Sequence, residues 1–171
     1  MRVVAGQFGG RILVSPPGLG TRPTTEKVRQ AVFNSLDASG LLDGAVVADL
    51  FAGSGALGIE ALSRGAERAV FVERDRAALQ ALDANLTTLG LADRSTVVRT
   101  DVMAWVPAMR GVDIALIDPP YTFDAWPTLL ALVQVDLVVA ESGAELDAPA
   151  GWRCRRAKRY GRTWVTTLER D

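Results

Sequence analysis

The chain reads as an α/β fold, one mostly parallel sheet with helices on both faces. Three observations predict it. Short apolar runs at 45–51, 69–72, 96–98, 112–117 and 137–140 alternate with stretches whose leucines and valines recur at helical spacing. A glycine-rich loop follows the first run directly, and an acidic residue lies at or just past the end of each of the next three. Open parallel sheets gather their ligand-binding groups at that C-terminal edge, so one pattern predicts both a fold and a place to look for a site.

Arg2–Gly6 and Arg11–Val14 are short extended segments on either side of Gly9-Gly10, which reads as a β-hairpin ended by Ser15-Pro16-Pro17-Gly18. Thr24 or Thr25 can N-cap the helix that follows. Its first turn holds Glu26, and Val28, Ala31, Val32, Phe33 and Leu36 give it an apolar face, with Lys27 and Arg29 expected off that face. Ala45–Phe51 is a buried strand. Gly53, Gly55 and Gly58 then spell G-x-G-x-x-G into a helix at Ile59–Leu62, an arrangement that lets backbone approach a ligand and aims helix amides at it. A dinucleotide site uses the same glycines. Asp49, four residues before Gly53, favours the amino group of a methionine moiety over a pyrophosphate.

Ala69–Val72 is the second strand, and Glu73 at its end can accept both hydroxyls of a ribose, as it would in a nicotinamide-dependent enzyme too. Asp75 caps a helix whose Leu79, Leu82, Leu86 and Leu89 are core, and Gly90 stops it. Thr96–Val98 makes a third strand, with Asp101 placed to cap a helix in which Trp105 and Met109 pack on the sheet. Val112–Ile117 is the fourth strand, and Asp118-Pro119-Pro120-Tyr121 ends it abruptly. Neither proline has an N–H for a ladder or a helix. The local carbonyls and the Asp118 carboxylate can therefore accept from a ligand, and Tyr121 offers a face to a planar ring. Acceptors beside a stacking surface suit the exocyclic NH2 of a nucleobase; a strand end followed by a plain Pro-Pro turn is the alternative.

Asp124 can cap a short helix through Leu132 with Pro127 in its first turn. Only about four residues separate it from a fifth strand, Leu137–Ala140, which ends at Glu141; so short a connection either clips the rim near Tyr121 or trims a surface loop. Residues 142–151 are too few for a crossover helix. Trp152–Lys158 and Thr163–Leu168 should thus add as an antiparallel hairpin turning near Tyr160-Gly161-Arg162. Arg153, Arg155, Arg156, Lys158, Arg159 and Arg162 crowd it, with alternation sending about half to each face. Phosphate contact and protection of an edge strand are both open readings.

Asp118–Tyr121 resembles motif IV of the amino-group methyltransferases, which is Asp or Asn, Pro, Pro, then Tyr or Phe. Arg22-Pro23-Thr24-Thr25, Val28-Arg29 and Phe33-Asn34-Ser35-Leu36, preceded by Gly9-Gly10-Arg11, resemble the opening of the RsmD family of small-subunit ribosomal RNA guanine methyltransferases. Gln30 departs from the acidic residue usual there. The resemblance runs from Arg2 to Glu169. It implies a class I (Rossmann-like) methyltransferase fold, seven-stranded in the order 3-2-1-4-5-7-6. Residues 1–171 would form one domain, a hairpin-and-helix extension at 1–40 on a catalytic core at 45–171. It implies transfer of a methyl group from S-adenosyl-L-methionine to the N2 amine of a guanine in 16S ribosomal RNA. Asp49, Gly53, Gly55, Gly58, Glu73 and Arg74 would hold that cofactor, with Asp101 accepting from the adenine amino group and Val102 covering the ring. Asp118, Pro119, Pro120 and Tyr121 would be the catalytic group.

With no histidine and a single cysteine, Cys154, the chain cannot build a Ser-His-Asp or Cys-His site or an intrachain disulfide. No apolar run reaches a membrane span and no secretory h-region opens the chain, so a cytoplasmic protein is expected. The net charge of −1 hides an uneven distribution. Residues 1–30 hold five basic groups against one acidic, 31–150 seven against seventeen, and 151–171 seven against two. Basic ends around an acidic middle suggest an anion-binding face formed by Arg11, Arg22, Lys27, Arg29, Arg159 and Arg162, unless the seventeen arginines reflect coding bias. The expected partner is ribosomal RNA, in an assembled or assembling small subunit, with no metal and a monomeric enzyme. Other readings are an adenine or cytosine amino-methyltransferase, a protein-glutamine methyltransferase (with Asn more usual at 118), a nicotinamide-dependent oxidoreductase, or a non-catalytic RNA-binding module.

Overall fold

Alternation along the strands decides which helix covers which face of the sheet in the computed structural model, which describes residues 1–18 and 26–171. The strands are β1 (Val46–Leu50), β2 (Arg68–Glu73), β3 (Ser95–Arg99), β4 (Ile114–Ile117), β5 (Leu137–Ser142), β6 (Trp152–Tyr160) and β7 (Thr163–Arg170). They form one sheet in the order β3-β2-β1-β4-β5-β7-β6, parallel except where β7 pairs with β5 and β6. The helices are α1 (Glu26–Ala38), α2 (Ala56–Ser63), α3 (Arg76–Leu89), α4 (Val102–Trp105) and α5 (Trp126–Leu132). Val47, Phe71, Leu116 and Val139 share a buried cluster with Phe33 of α1, Ile59 of α2 and Leu82 of α3. Their strand neighbours Ala48, Val72, Ile117 and Val138 share the other cluster with Val102 of α4 and Leu129 of α5. Period two in the strands and 3.6 in the helices thus produce a three-layer core.

Register aligns the strand ends. Val98, Val72, Leu50, Ile117 and Ala140 lie in one row across β3, β2, β1, β4 and β5. One step beyond that row come Arg99, Glu73, Phe51, Asp118 and Glu141. Because β2 and β4 flank β1 and their connections leave on opposite faces, a crevice opens there.

The N-terminal hairpin is reduced to a single bridge, Arg2 with Ile12, supported by Val3 N–H to the Arg11 carbonyl at 2.9 Å and Gly10 N–H to the Val3 carbonyl at 2.8 Å. The Thr24 or Thr25 cap lies outside the described residues. Asp75 caps α3 as expected, accepting from Ala78 N–H at 2.8 Å, and Gly90 closes it. Asp124 does not cap α5: the helix starts at Trp126 with Ala125 as N-cap and Pro127 in its first turn, so the Asp124 side chain falls one residue too early. The short connection after α5 runs into the start of β5, at the sheet edge opposite Asp118, and buries Val133 and Val135, so it cannot clip the rim near Tyr121.

Arg29 corrects a second expectation. Its side chain is only 5% exposed and pairs with the fully buried Glu60 of α2 at 3.5 Å, while donating to the Arg2 carbonyl. Glu60 also accepts from Val4 and Ala5 N–H at 2.8 and 3.1 Å and from Arg64 at 2.7 Å. Burial lowers the Arg29 pKa, with Glu60 opposing. Arg29 is thus a clamp between the N-terminal segment and α2, out of reach of a phosphate.

Candidate active site

Asp49 forms the floor of the crevice, 1% exposed, with one oxygen accepting from Gly58 N–H at 2.8 Å. Burial pushes its carboxyl well above the ordinary carboxylate range; the Gly58 amide opposes, and the nearby Asp118 and Glu73 charges push it further up. Gly53 and Gly55 both take positive φ, +57° and +84°. A Cβ at Gly53 would meet no atom of the described residues within 4 Å, whereas one at Gly58 would lie 2.3 Å from the Phe71 ring. A Cβ at Gly55 would likewise lie 2.4 Å from Leu82 Cδ1. Glu73 braces the loop, accepting from Gly53 N–H at 2.9 Å with one oxygen and from Arg74 and Asp75 N–H at 2.8 Å with the other. Asp101 caps α4 through Met103 N–H at 2.8 Å and pairs its second oxygen with Arg74 at 2.9 Å on the surface. Val102 is 3% exposed, packed in the buried cluster with α5.

Across Phe51 from Glu73 lies a small pocket of about 20 Å³ lined by Asp118, Pro119, Pro120, Tyr121 and also Phe123, Trp126, Glu141 and Thr163. Pro120 closes its own tight turn, its carbonyl accepting from Phe123 N–H at 2.9 Å. Tyr121 is 61% exposed at the rim. Phe51 holds φ +62°, a conformation costing about 1–3 kcal/mol for a non-glycine residue. Its ring meets Phe123 edge-on at 5.1 Å, and Phe123 meets Trp126 at 5.3 Å, so an aromatic chain ties the glycine loop to the Asp118 turn. The structure therefore brings Asp49, Gly53, Glu73 and Asp118 to one edge, acidic on the floor and apolar on one wall.

A family model described as "Conserved hypothetical protein 95" matches residues 1–169, nearly the whole chain. Ribosomal RNA small subunit methyltransferase D of Escherichia coli (strain K12) is 38% identical over 185 residues, covering 100% of this chain and 90% of the relative. The chain belongs to the RsmD family. Putative rRNA methyltransferase YlbH of Bacillus subtilis (strain 168) is 37% identical over 187 residues, covering 99% of each chain. A solved structure, the putative methyltransferase yhhF from Escherichia coli, superposes with a TM-score of 0.86 at 38% identity, covering 100% of this chain and 98% of that one. The strand order of this RsmD-family chain is that of the class I methyltransferase fold.

Within this RsmD-family framework the expected phosphate-binding cations separate. Arg11 is exposed, reaching the Thr88 carbonyl at 3.5 Å; Lys27 is exposed on α1; Arg159 and Arg162 are exposed at the β6–β7 turn. Arg29 is buried, and Arg22 lies outside the described residues. The sequence reading missed Asn85. Buried on α3, it donates to the Ser54 carbonyl of the glycine loop at 2.9 Å and exchanges two hydrogen bonds with Val14 at 2.7 and 3.0 Å. It fastens the N-terminal segment and the loop to one helix. An asparagine in a leucine stripe was the available signal.

Proposed function

We propose that this chain transfers a methyl group from S-adenosyl-L-methionine to the exocyclic N2 of a guanine in small-subunit ribosomal RNA, in the cytoplasm, as a monomer acting on an assembled or assembling subunit. The observation that carries it is the shared row at the sheet edge, which sets the glycine loop and Asp118-Pro119-Pro120-Tyr121 side by side. The residues fit the cofactor. No atom of the described residues lies within 4 Å of a Cβ placed at Gly53, and Asp118 and Glu73 add to the burial that raises the Asp49 pKa, a concentration of carboxylates that suits a ligand bearing a sulfonium and an ammonium. Asp49 would take the ammonium, Glu73 a ribose hydroxyl through the one acceptor site its three loop contacts leave over, and Asp101 the adenine amino group once Arg74 swings aside. When bound, the cofactor supplies a methyl carbon already activated by a good leaving group.

The protein's own task is the nucleophile. An aryl amine shares its lone pair with the ring and attacks poorly. Asp118 and the Pro119 carbonyl accept its two hydrogens, hold the nitrogen out of conjugation and stabilise positive charge as it develops there. Position fixes the line of approach. Guanine, rather than adenine, suits the pocket because Glu141 lines it next to Asp118 in the sheet. A carboxylate accepts from guanine N1–H but faces a lone pair at adenine N1. At about 20 Å³ the pocket admits a base only as the Tyr121 and Trp126 rim moves outward, with Tyr121 then stacking on the flipped ring.

The test is methyl transfer from labelled S-adenosyl-L-methionine to small subunits from cells lacking this protein, mapped by mass spectrometry. One N2-methylguanosine is expected. Label on adenine or cytosine, or none on RNA, overturns the assignment.

A further inference from the structure

A larger cleft than the one at Asp118, about 150 Å³, lies between α1 and the β6–β7 edge. Regular alternation would send Arg155 to one face of β6 and Arg156 and Lys158 to the other. A bulge intervenes: Cys154 pairs with Leu168, but it is Arg156 that pairs with Thr167 and Lys158 with Val165. Val165 faces the α1 side of the sheet and Leu168 the α5 side, so Arg156 and Lys158 point toward α1. Arg155 joins them, donating to Ser39 Oγ, just past the end of α1, at 3.2 Å. Among the described residues these three cations form no ion pair, whereas Arg153 is held by Glu169 at 2.7 Å.

Among the described residues no carboxylate lines this cleft; its far wall carries Ser35 and Ser39 and its floor is apolar. Ala31, Ser35 and Ser39 recur at i, i+4, and the same stripe extends back to the exposed Lys27. Tyr160 pairs with Thr163, which lines the Asp118 pocket. The cleft is thus a basic line with hydroxyl donors leading up to the target pocket. A polyanion needs such a line, because the reaction edge is acidic and repels phosphate. Protection of an edge strand would need scattered charge but no shared direction and no facing wall.

Resting on the methyltransferase reading above, we propose that the α1–β6 cleft binds the sugar–phosphate backbone of the substrate RNA beside the flipped guanine, through Arg155, Arg156 and Lys158.

The test compares wild type, Arg155→Gln/Arg156→Gln/Lys158→Gln, and the charge-keeping Arg155→Lys/Arg156→Lys, using unmethylated small subunits as the probe. Subunit binding, KM and kcat, calorimetric affinity for S-adenosyl-L-methionine, and sedimentation of the free protein are read separately. In the triple variant we expect subunit affinity about tenfold or more weaker and a salt slope shallower by roughly 2–3. Its kcat at saturation and its cofactor affinity should be unchanged, and the lysine variant should behave nearly as wild type. Unchanged subunit affinity and salt slope overturn the proposal, and self-association of the triple variant alongside them would assign the cations to edge protection. Wild type that binds subunits through this cleft but transfers no methyl would refute the parent reading and leave the cleft standing.

Discussion

Gly53 and Gly58 belong to one sequence motif, yet the structure gives them different physical duties, and alanine at each position separates them. Gly58 is helical, so Ala gains about 1 kcal/mol in propensity. Its Cβ, however, would sit 2.3 and 2.8 Å from two atoms of the Phe71 ring, which is fully buried and has nowhere to go. Overpacking of that kind costs about 1–3 kcal/mol. The contact is severe, so the upper end applies, leaving Gly58→Ala about 2 kcal/mol less stable, or roughly 4–8 °C lower in Tm for a chain of this size. A Cβ at Gly53 meets no atom of the described residues within 4 Å, but the residue holds φ +57°, which costs an alanine about 1–2 kcal/mol. On the proposed reading its methyl would stand in the cofactor's path, and a clash worth about 1.4 kcal/mol or more there is tenfold or more in affinity. Thermal unfolding reads the stability effect, and calorimetric titration with S-adenosyl-L-methionine well below Tm reads the affinity effect independently of it. Gly53→Ala should lose most of its cofactor affinity, and Gly58→Ala should keep it within about threefold while losing stability. A Gly58→Ala protein as stable as wild type, or a Gly53→Ala protein that binds cofactor normally, would refute this division.

Asp118→Ala should lower single-turnover methylation by on the order of 10²–10³ while leaving cofactor affinity nearly intact, as loss of one preorganised contact does; a near-normal rate would remove Asp118 from the chemistry. Asp49 holds its proton more tightly folded than unfolded, so its contribution to stability is lost as pH rises from the ordinary carboxylate range toward its raised folded value. Asp49→Asn should therefore gain in Tm relative to wild type as pH rises through that window, and should bind S-adenosyl-L-methionine more weakly; a stability gap that does not change with pH contradicts this. Arg29→Ala breaks a buried pair, a loss of about 3 kcal/mol given that Arg64 still serves Glu60. Tm should fall by roughly 6–12 °C, with the salt dependence of RNA binding unchanged; a shallower salt slope would return Arg29 to the RNA surface.

Sheet, helices and loop were legible because each is announced locally. Apolar runs mark strands, Asp75 and Gly90 bracket α3, and the acids after β2 and β4 mark one edge without any knowledge of pairing. What was illegible depends on partners distant in the chain. Arg29 sits off the apolar stripe by helical geometry, and only Glu60 from α2 draws it inside. The β6 bulge has no signature in Arg153-Cys154-Arg155-Arg156, since any of those residues could be the unpaired one. Phe51 in a left-handed conformation depends on Phe123, 72 residues later. Asp124 missed its cap by one position because Pro127 sets where α5 can begin.

The same charge logic links the two ends of the site. Asp49, Glu73, Asp101, Asp118 and Glu141 meet at one sheet edge because each lies at or just past the C-terminal end of a parallel strand, and such a concentration is eased by the burial that raises the Asp49 pKa, by capping and loop hydrogen bonds at Glu73 and Asp101, or by a cationic ligand. An edge built to hold a cation cannot also attract RNA phosphate. Recognition of the polyanion has to be displaced from the chemistry, and the strand following β5 is the nearest element free to carry opposite charge. The bulge in β6 turns that charge toward α1, and on the proposed reading phosphate would be held there without neutralising the carboxylates proposed to hold the cofactor and the amine.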